Sequence, residues 1–256
     1  MMDLGIDNSM LRGAVGMTRA KRRRGKRKRR PLFWCKSIIG LVLALVAGWF
    51  LLGLAGGRVE TPALATGPLT GQIVLIDPGH GGIDPGACGL IFFEKDIVLD
   101  VGLLLGQKLE RAGANVVYTR TGDDIEPNEE SGTSTYRRSL IEDSKATIVV
   151  SIHCNDFEDP RIKGAQVFYK SSTDELSGRL AELIQKELEA STGTSREVSD
   201  EIDHFMLEGT QVPAVTVELG FLSNPDEEKL LGSPGYQETL ADCICNAVIL
   251  FSKGEY

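Results

Sequence analysis

Three histidines, five cysteines and 6% aromatic residues in a chain of 256 exclude several kinds of site at once. No C-x-x-C pair occurs among Cys35, Cys88, Cys154, Cys243 and Cys245, which argues against a thiolate zinc site. Cys243 and Cys245 are two apart on a predicted helix, so their side chains diverge and do not pair. A Cys88–Cys154 bridge stays open, but the spacings show no disulfide framework. The H-E-x-x-H signature is missing too, as are internal repeats and, after the basic arm, low-complexity segments.

Charge of one sign is scarce in each part of the chain. Residues 1–36 hold twelve Lys and Arg, nine of them in Lys21–Arg30, against only Asp3 and Asp7. From Ser37 onward 16 basic residues face 34 acidic ones, a balance of −18 that disfavours nucleic acid as a partner of that part. Taken alone, the basic block would suit a nucleic-acid or nuclear-targeting patch. Its neighbour decides otherwise: Ser37–Ala55 is nineteen residues without a charge, about 28 Å long as a helix, with Trp34 and Trp49 towards either end. The expectation is a basic cytoplasmic arm (1–36), one transmembrane anchor (37–55), a linker (56–70) and an extracytoplasmic domain (71–256). A cleavable signal peptide is the alternative, since Ala63-Leu64-Ala65 resembles a processing site, but the apolar run exceeds the usual ~7–15 residues.

The domain of about 185 residues alternates apolar runs with amphipathic stretches, which predicts an α/β fold. Ile73–Ile76, cut off by Asp77-Pro78-Gly79, reads as a buried strand with His80 at its mouth among glycines. A helix over about 95–112 follows, then a strand at 115–119 and an acidic loop at 120–133. Next come a helix at 136–145, a strand at 147–152 ended by His153, a strand at 164–169 and a helix at about 173–190. Residues 191–203 read as loop, Phe205–Leu207 as a short strand, and Pro213–Val217 as a strand ending at Glu218. Asn224-Pro225-Asp226-Glu227 carries a strong helix start, and a last helix covers about 236–251.

Polar residues at the carboxyl ends of apolar strands, His80, His153 and Glu218, gather at one edge of such a sheet. Two imidazoles with a carboxylate suit a catalytic zinc that keeps one open position. Glu94 is the candidate third ligand because it begins a helix directly after the glycine-rich loop; a Glu favouring a helix N-terminus is the plainer alternative. Glu218 is then the candidate proton shuttle for metal-assisted amide hydrolysis.

Asp77-Pro-Gly-His-Gly-Gly82, Glu94-Lys95, Ser151-Ile-His153-Cys-Asn155, Gly164-Ala165 with Phe168-Tyr169, and Glu218-Leu-Gly-Phe-Leu-Ser-Asn224 together resemble the zinc-dependent N-acetylmuramoyl-L-alanine amidases of bacterial cell walls. The resemblance covers about residues 71–252. It implies a single domain with a roughly six-stranded, mostly parallel sheet flanked by helices on both faces. It also implies Zn2+ held by His80, Glu94 and His153, with Glu218 as catalytic residue. Arg137 and Asn155 match family positions and are expected to contact substrate or support the ligands. His204 is expected at the surface or lining a groove, and Cys154 to pack rather than ligate. The implied substrate is peptidoglycan, cut between the lactyl group of muramic acid and L-alanine. The layout resembles the branch acting on spore cortex, where muramic δ-lactam is made with a deacetylase. A vegetative cell-separation amidase and a catalytically silent wall-binding module are the alternatives, and an activating protein partner is left open.

Overall fold

A computed structural model describes residues 67–123, 134–171, 175–200 and 205–255, all within one compact unit, Glu60–Tyr256. The basic arm, the expected anchor, most of the linker and His204 lie outside the described residues. Among the described residues no helix is long and apolar enough to cross a membrane.

Six strands form one sheet: β1 (Ile73–Pro78), β2 (Asn115–Tyr118), β3 (Ile148–Asn155), β4 (Gln166–Tyr169), β5 (Ser199–Asp200) and β6 (Ala214–Phe221). Their order is β2-β1-β3-β6-β4-β5, with β4 antiparallel to β6 and every other pairing parallel. The sheet is therefore mixed, though mostly parallel. Five helices accompany it: α1 (Glu94–Arg111), α2 (Ser134–Ser144), α3 (Glu175–Thr192), α4 (Pro225–Leu231) and α5 (Pro234–Ser252). The chain leaves β1 towards β2 on one side and returns to β3 on the other, so the carboxyl ends of β1 and β3 flank a topological switch point.

Alternation along the strands divides the core in two. Val74 and Ile76, Ile148, Val150, Ile152 and Cys154, and Val215, Val217 and Leu219 join Leu105 of α1, Ile184 of α3 and Ile244 of α5 in the main core. On the opposite face a smaller core holds Leu75, Val149 and Ala214 with Ile141 of α2, Met206 and Leu207. That second face changes character along the strands. In register across β1, β3 and β6 stand the apolar row Leu75, Val149, Ala214, the polar row Asp77, Ser151, Thr216, and then His153 beside Glu218.

Three sequence expectations are corrected. Phe205–Leu207 is a turn, because its apolar residues cap the smaller core, with Met206 and Leu207 buried. The stretch 191–203 contains β5, two polar residues held by pairing to Phe168 and Tyr169 rather than by any pattern of their own. Neither His153 nor Glu218 ends its strand: β3 and β6 run on through a register shift that pairs Asn155 with Phe221. Cys88, Cys154, Cys243 and Cys245 are free thiols.

The start of α4 is as the sequence indicates. Asn224 caps it, its side-chain oxygen accepting from the N–H groups of Asp226 and Glu227, both at 3.0 Å, with Pro225 at the first position. Its amide also donates to the carbonyl of Pro160 at 2.8 Å, tying the helix to the loop after β3. Asn224→Ala should cost about 1–2 kcal/mol, measured as a lower urea midpoint at unchanged slope.

Candidate metal centre at the switch point

The glycine-rich loop brings His80 back over the sheet edge in a left-handed conformation, φ 58°, followed by Gly81 at 122° and Gly82 at 59°. For a residue with a β-carbon this conformation costs of order 1 kcal/mol or more and needs outside support. Glu94 enters as the first residue of α1, and His153 from β3. Around Glu94 Oε1 lie His80 Nε2 at 3.1 Å, His153 Nδ1 at 3.0 Å and the backbone N–H of Cys154 at 2.8 Å. Glu94 Oε2 accepts from the N–H of Ala87 at 2.7 Å. The imidazoles meet edge to face, with ring centroids 5.0 Å apart.

This donor set suits a divalent cation. One nitrogen from each imidazole and one carboxylate oxygen all lie within 4.8 Å of one another. Donors about 2.0–2.1 Å from a tetrahedral zinc stand roughly 3.3 Å apart, close to the 3.1 and 3.0 Å that separate Glu94 Oε1 from the two imidazole nitrogens. The walls are cut to fit: a β-carbon at Gly79 would lie 2.2 Å from the His153 ring, and one at Gly86 2.5 Å from Glu94 Oε2. His80 Nδ1 lies 2.8 Å from Asp84 Oδ2, the carboxylate partner that ligating imidazoles commonly have. Burial draws the His80 pKa down, but Glu94 and Asp84 outweigh it and push it up to about 9. Burial likewise raises the Glu94 carboxyl, yet hydrogen bonds and charge from His153 and His80 hold it well below the usual carboxylate range. The site is thus built to favour positive charge.

Glu218 is the register partner of His153 on β6, half-buried on the same face of the sheet. Arg137 lies behind the site. Buried, it donates from Nη1 to Asp77 Oδ1 and to the carbonyl of Pro78, both at 3.1 Å, and from Nη2 to the carbonyl of His80. Asn155 turns its side-chain oxygen to the N–H of Asp156 at 2.9 Å, closing the end of β3. Cys154 points to the main core, where burial and then the carboxylates of Glu94, Glu218 and Glu227 push its thiol pKa well up.

Sequence reasoning missed Asp84, Asp77 and Arg120. Asp77 is fully buried, accepting from Thr119 Oγ1 at 2.6 Å and Ser151 Oγ at 2.7 Å besides Arg137. Arg120, expected at the start of an acidic loop, is buried and donates to the carbonyls of Pro78 and Gly79 at 2.9 and 2.8 Å. No local pattern marks Asp77 or Arg120, because these partners lie 41 to 74 positions away.

The fold and site define an α/β domain presenting a His–Glu–His donor set and a neighbouring carboxylate at a sheet switch point. Residues 74–249 match the N-acetylmuramoyl-L-alanine amidase family model. The chain belongs to that family and is an amidase acting on peptidoglycan. It is 33% identical over 241 residues to the germination-specific N-acetylmuramoyl-L-alanine amidase of Bacillus subtilis, covering 89% of this chain and 98% of that one. Among solved structures, the CwlD amidase of Clostridioides difficile, determined in complex with the GerS lipoprotein, is 35% identical with a TM-score of 0.67, over 72% of this chain and 99% of that one. The catalytic domain of CwlV from Paenibacillus polymyxa is 29% identical with a TM-score of 0.62, over 69% and 96% respectively.

Burial raises the Asp77 carboxyl, but Arg137, Thr119, His153 and Ser151 more than offset it, so its folded pKa is lowered. The stabilisation from such a depressed carboxylate is complete above its unfolded pKa of about 3.9 and is lost as pH falls through the folded value. Asp77→Asn leaves the Arg137 guanidinium buried without its counter-charge and should cost about 3–5 kcal/mol at neutral pH. Calorimetric melting from pH 7 to pH 3 should show the gap between wild type and variant narrowing at the acid end; a constant gap would refute the charge argument.

Proposed function

We propose that this amidase is zinc-dependent, that His80, Glu94 and His153 hold the ion, and that Glu218 carries the proton in the cleavage of the lactyl–L-alanine amide. The observation that supports this best is the clustering of two imidazole nitrogens around Glu94 Oε1. When bound, the ion supplies Lewis acidity at one open position. The chain's own residues do the rest. Glu218, set beside His153 by strand register, takes a proton from the attacking water and returns it to the departing alanine nitrogen. Asp84 fixes the ring of His80, while Arg137 holds the carbonyls that aim the loop. Asn155 lies at the end of β3 on the rim, where a substrate contact is proposed for it.

We further propose a role in spore cortex maturation, supported by the near full-length match to a germination-specific relative. The uncharged stretch 37–55 supports a membrane anchor that places the domain outside the cytoplasm, and the lipoprotein bound to the C. difficile relative supports a protein partner for this chain.

The test begins with zinc content and release of stem peptide from muropeptides by the purified chain. Glu218→Gln should keep its zinc and lose about 10²–10⁴-fold in rate, whereas Glu94→Ala should lose both. Zinc uptake with no cleavage by wild type would instead favour a silent wall-binding module. Digests of purified cortex and vegetative wall, compared by product, decide the biological substrate: preference for vegetative wall would overturn the spore role.

A further inference from the structure

His80 and Glu94 stand fourteen residues apart on a loop whose glycines leave the distance between them unspecified. Ties within the loop, such as the N–H of Glu94 to the carbonyl of Ala87 at 2.9 Å and the N–H of Lys95 to that of Pro85 at 3.1 Å, are joined by a clamp from outside it. Arg120, just past β2 and 6% exposed, donates from one nitrogen, Nη2, both to the carbonyl of Gly79 at 2.8 Å and to that of Lys95 at 2.7 Å. A single atom therefore spans the chain neighbours of both side chains. Its Nε donates to the carbonyl of Pro78 at 2.9 Å and its Nη1 to that of Gly122 at 3.2 Å, so all three nitrogens are engaged.

A second tie closes the loop on the far side of His80. Lys95 Nζ donates to the carbonyl of Gly82 at 2.9 Å and pairs with Asp123 Oδ2 at 2.6 Å, while Asp123 Oδ1 accepts from the N–H of Gly82 at 2.8 Å. With Arg137 on the carbonyl of His80, every residue from Pro78 to His80 has its carbonyl held by a guanidinium. These bonds oppose relaxation of His80 out of its left-handed conformation.

We propose that Arg120 is a positioning residue for the metal centre, fixing the spacing of His80 and Glu94 through Gly79 and Lys95, with the Lys95–Asp123 pair as its auxiliary. The proposal rests on the cation site formed by His80, Glu94 and His153. Burial first and the like charge of Arg137 second pull the Arg120 pKa down to about 10, while Asp123, Asp77 and Asp96 pull it up. Lysine cannot substitute, because a compact ammonium does not reproduce a planar fork reaching several carbonyls in fixed directions.

The experiment uses the full chain and four proteins: wild type, Arg120→Lys, Asp123→Asn and Leu188→Ala, the last a core truncation on α3. Zinc affinity is measured by competition with a chromogenic chelator, and ligand geometry by the visible absorption of Co2+, both corrected for the folded fraction by circular dichroism. Arg120→Lys should bind zinc about 10- to 100-fold more weakly, as losses of outer support commonly do, and should shift the cobalt spectrum. Asp123→Asn should move both in the same direction by less. Leu188→Ala should melt earlier with affinity and spectrum intact. Wild-type affinity and spectrum in Arg120→Lys would overturn the proposal. Should that variant not fold, Asp123→Asn decides: unchanged values there overturn it equally. Failure of wild type to bind zinc at all would instead strike the underlying cation site, and would be seen before any variant is compared.

Discussion

Asp77 carries a full negative charge in the middle of the sheet, and the site is arranged around the need to satisfy it. A carboxylate with no solvent exposure is tolerable only if hydrogen-bonded and opposed by a cation, and Thr119, Ser151 and Arg137 meet that need. Each of these partners comes from a different place in the fold: the residue just after β2, strand β3 and helix α2. The requirement therefore fixes three elements relative to β1 at the height of the polar row. Arg137, once bound to Asp77, has donors left over, and they fall on the carbonyls of Pro78 and His80. A demand of folding thus becomes the support of a ligand loop.

The register of β1, β3 and β6 converts this local demand into an ordered surface. One face passes from Leu75, Val149 and Ala214, through Asp77, Ser151 and Thr216, to His153 and Glu218. Parallel pairing makes the succession coherent, because neighbours in register project on the same side. A slip of one residue on any of these strands would turn its polar members into the main core. The apolar first row packs on Ile141 and Met206, so register is held by hydrophobic burial at one end and by hydrogen bonding in the middle. Chemistry is left to the end that neither process occupies.

Much of this was legible in the sequence. The apolar runs gave the strands of the central sheet, the amphipathic stretches gave the long helices, and Asn224-Pro225 gave the start of α4, because each depends on interactions within a few residues. His80, Glu94 and His153 were identifiable from chemistry and resemblance together, and the fold brings them into contact. What could not be seen depends on separation along the chain. Arg120 lay in an acidic stretch without apolar period, and only the fold shows that β2 delivers it to the carbonyls of Pro78 and Gly79. Asp84 is one acidic residue in the loop after β1, and only the fold shows its carboxylate 2.8 Å from His80 Nδ1. Phe205–Leu207 has the composition of a strand, but the demand of the smaller core for a lid outweighed that local preference.

Cys154 shows how main chain and side chain divide the labour at such a site. It follows His153, and strand alternation sends its thiol to the other side of the sheet, among the apolar groups of the main core. Burial and nearby carboxylates raise that thiol's pKa well above its ordinary value, so it stays protonated and is a poor ligand for a cation. Its backbone N–H, by contrast, points at Glu94 Oε1 from 2.8 Å. Glu94 is thereby fixed from two sides, by Cys154 through Oε1 and by Ala87 through Oε2, before any cation is considered. The position therefore tolerates any small side chain that fits the core. Its contribution to the centre is made by the peptide group, which any residue other than proline would supply.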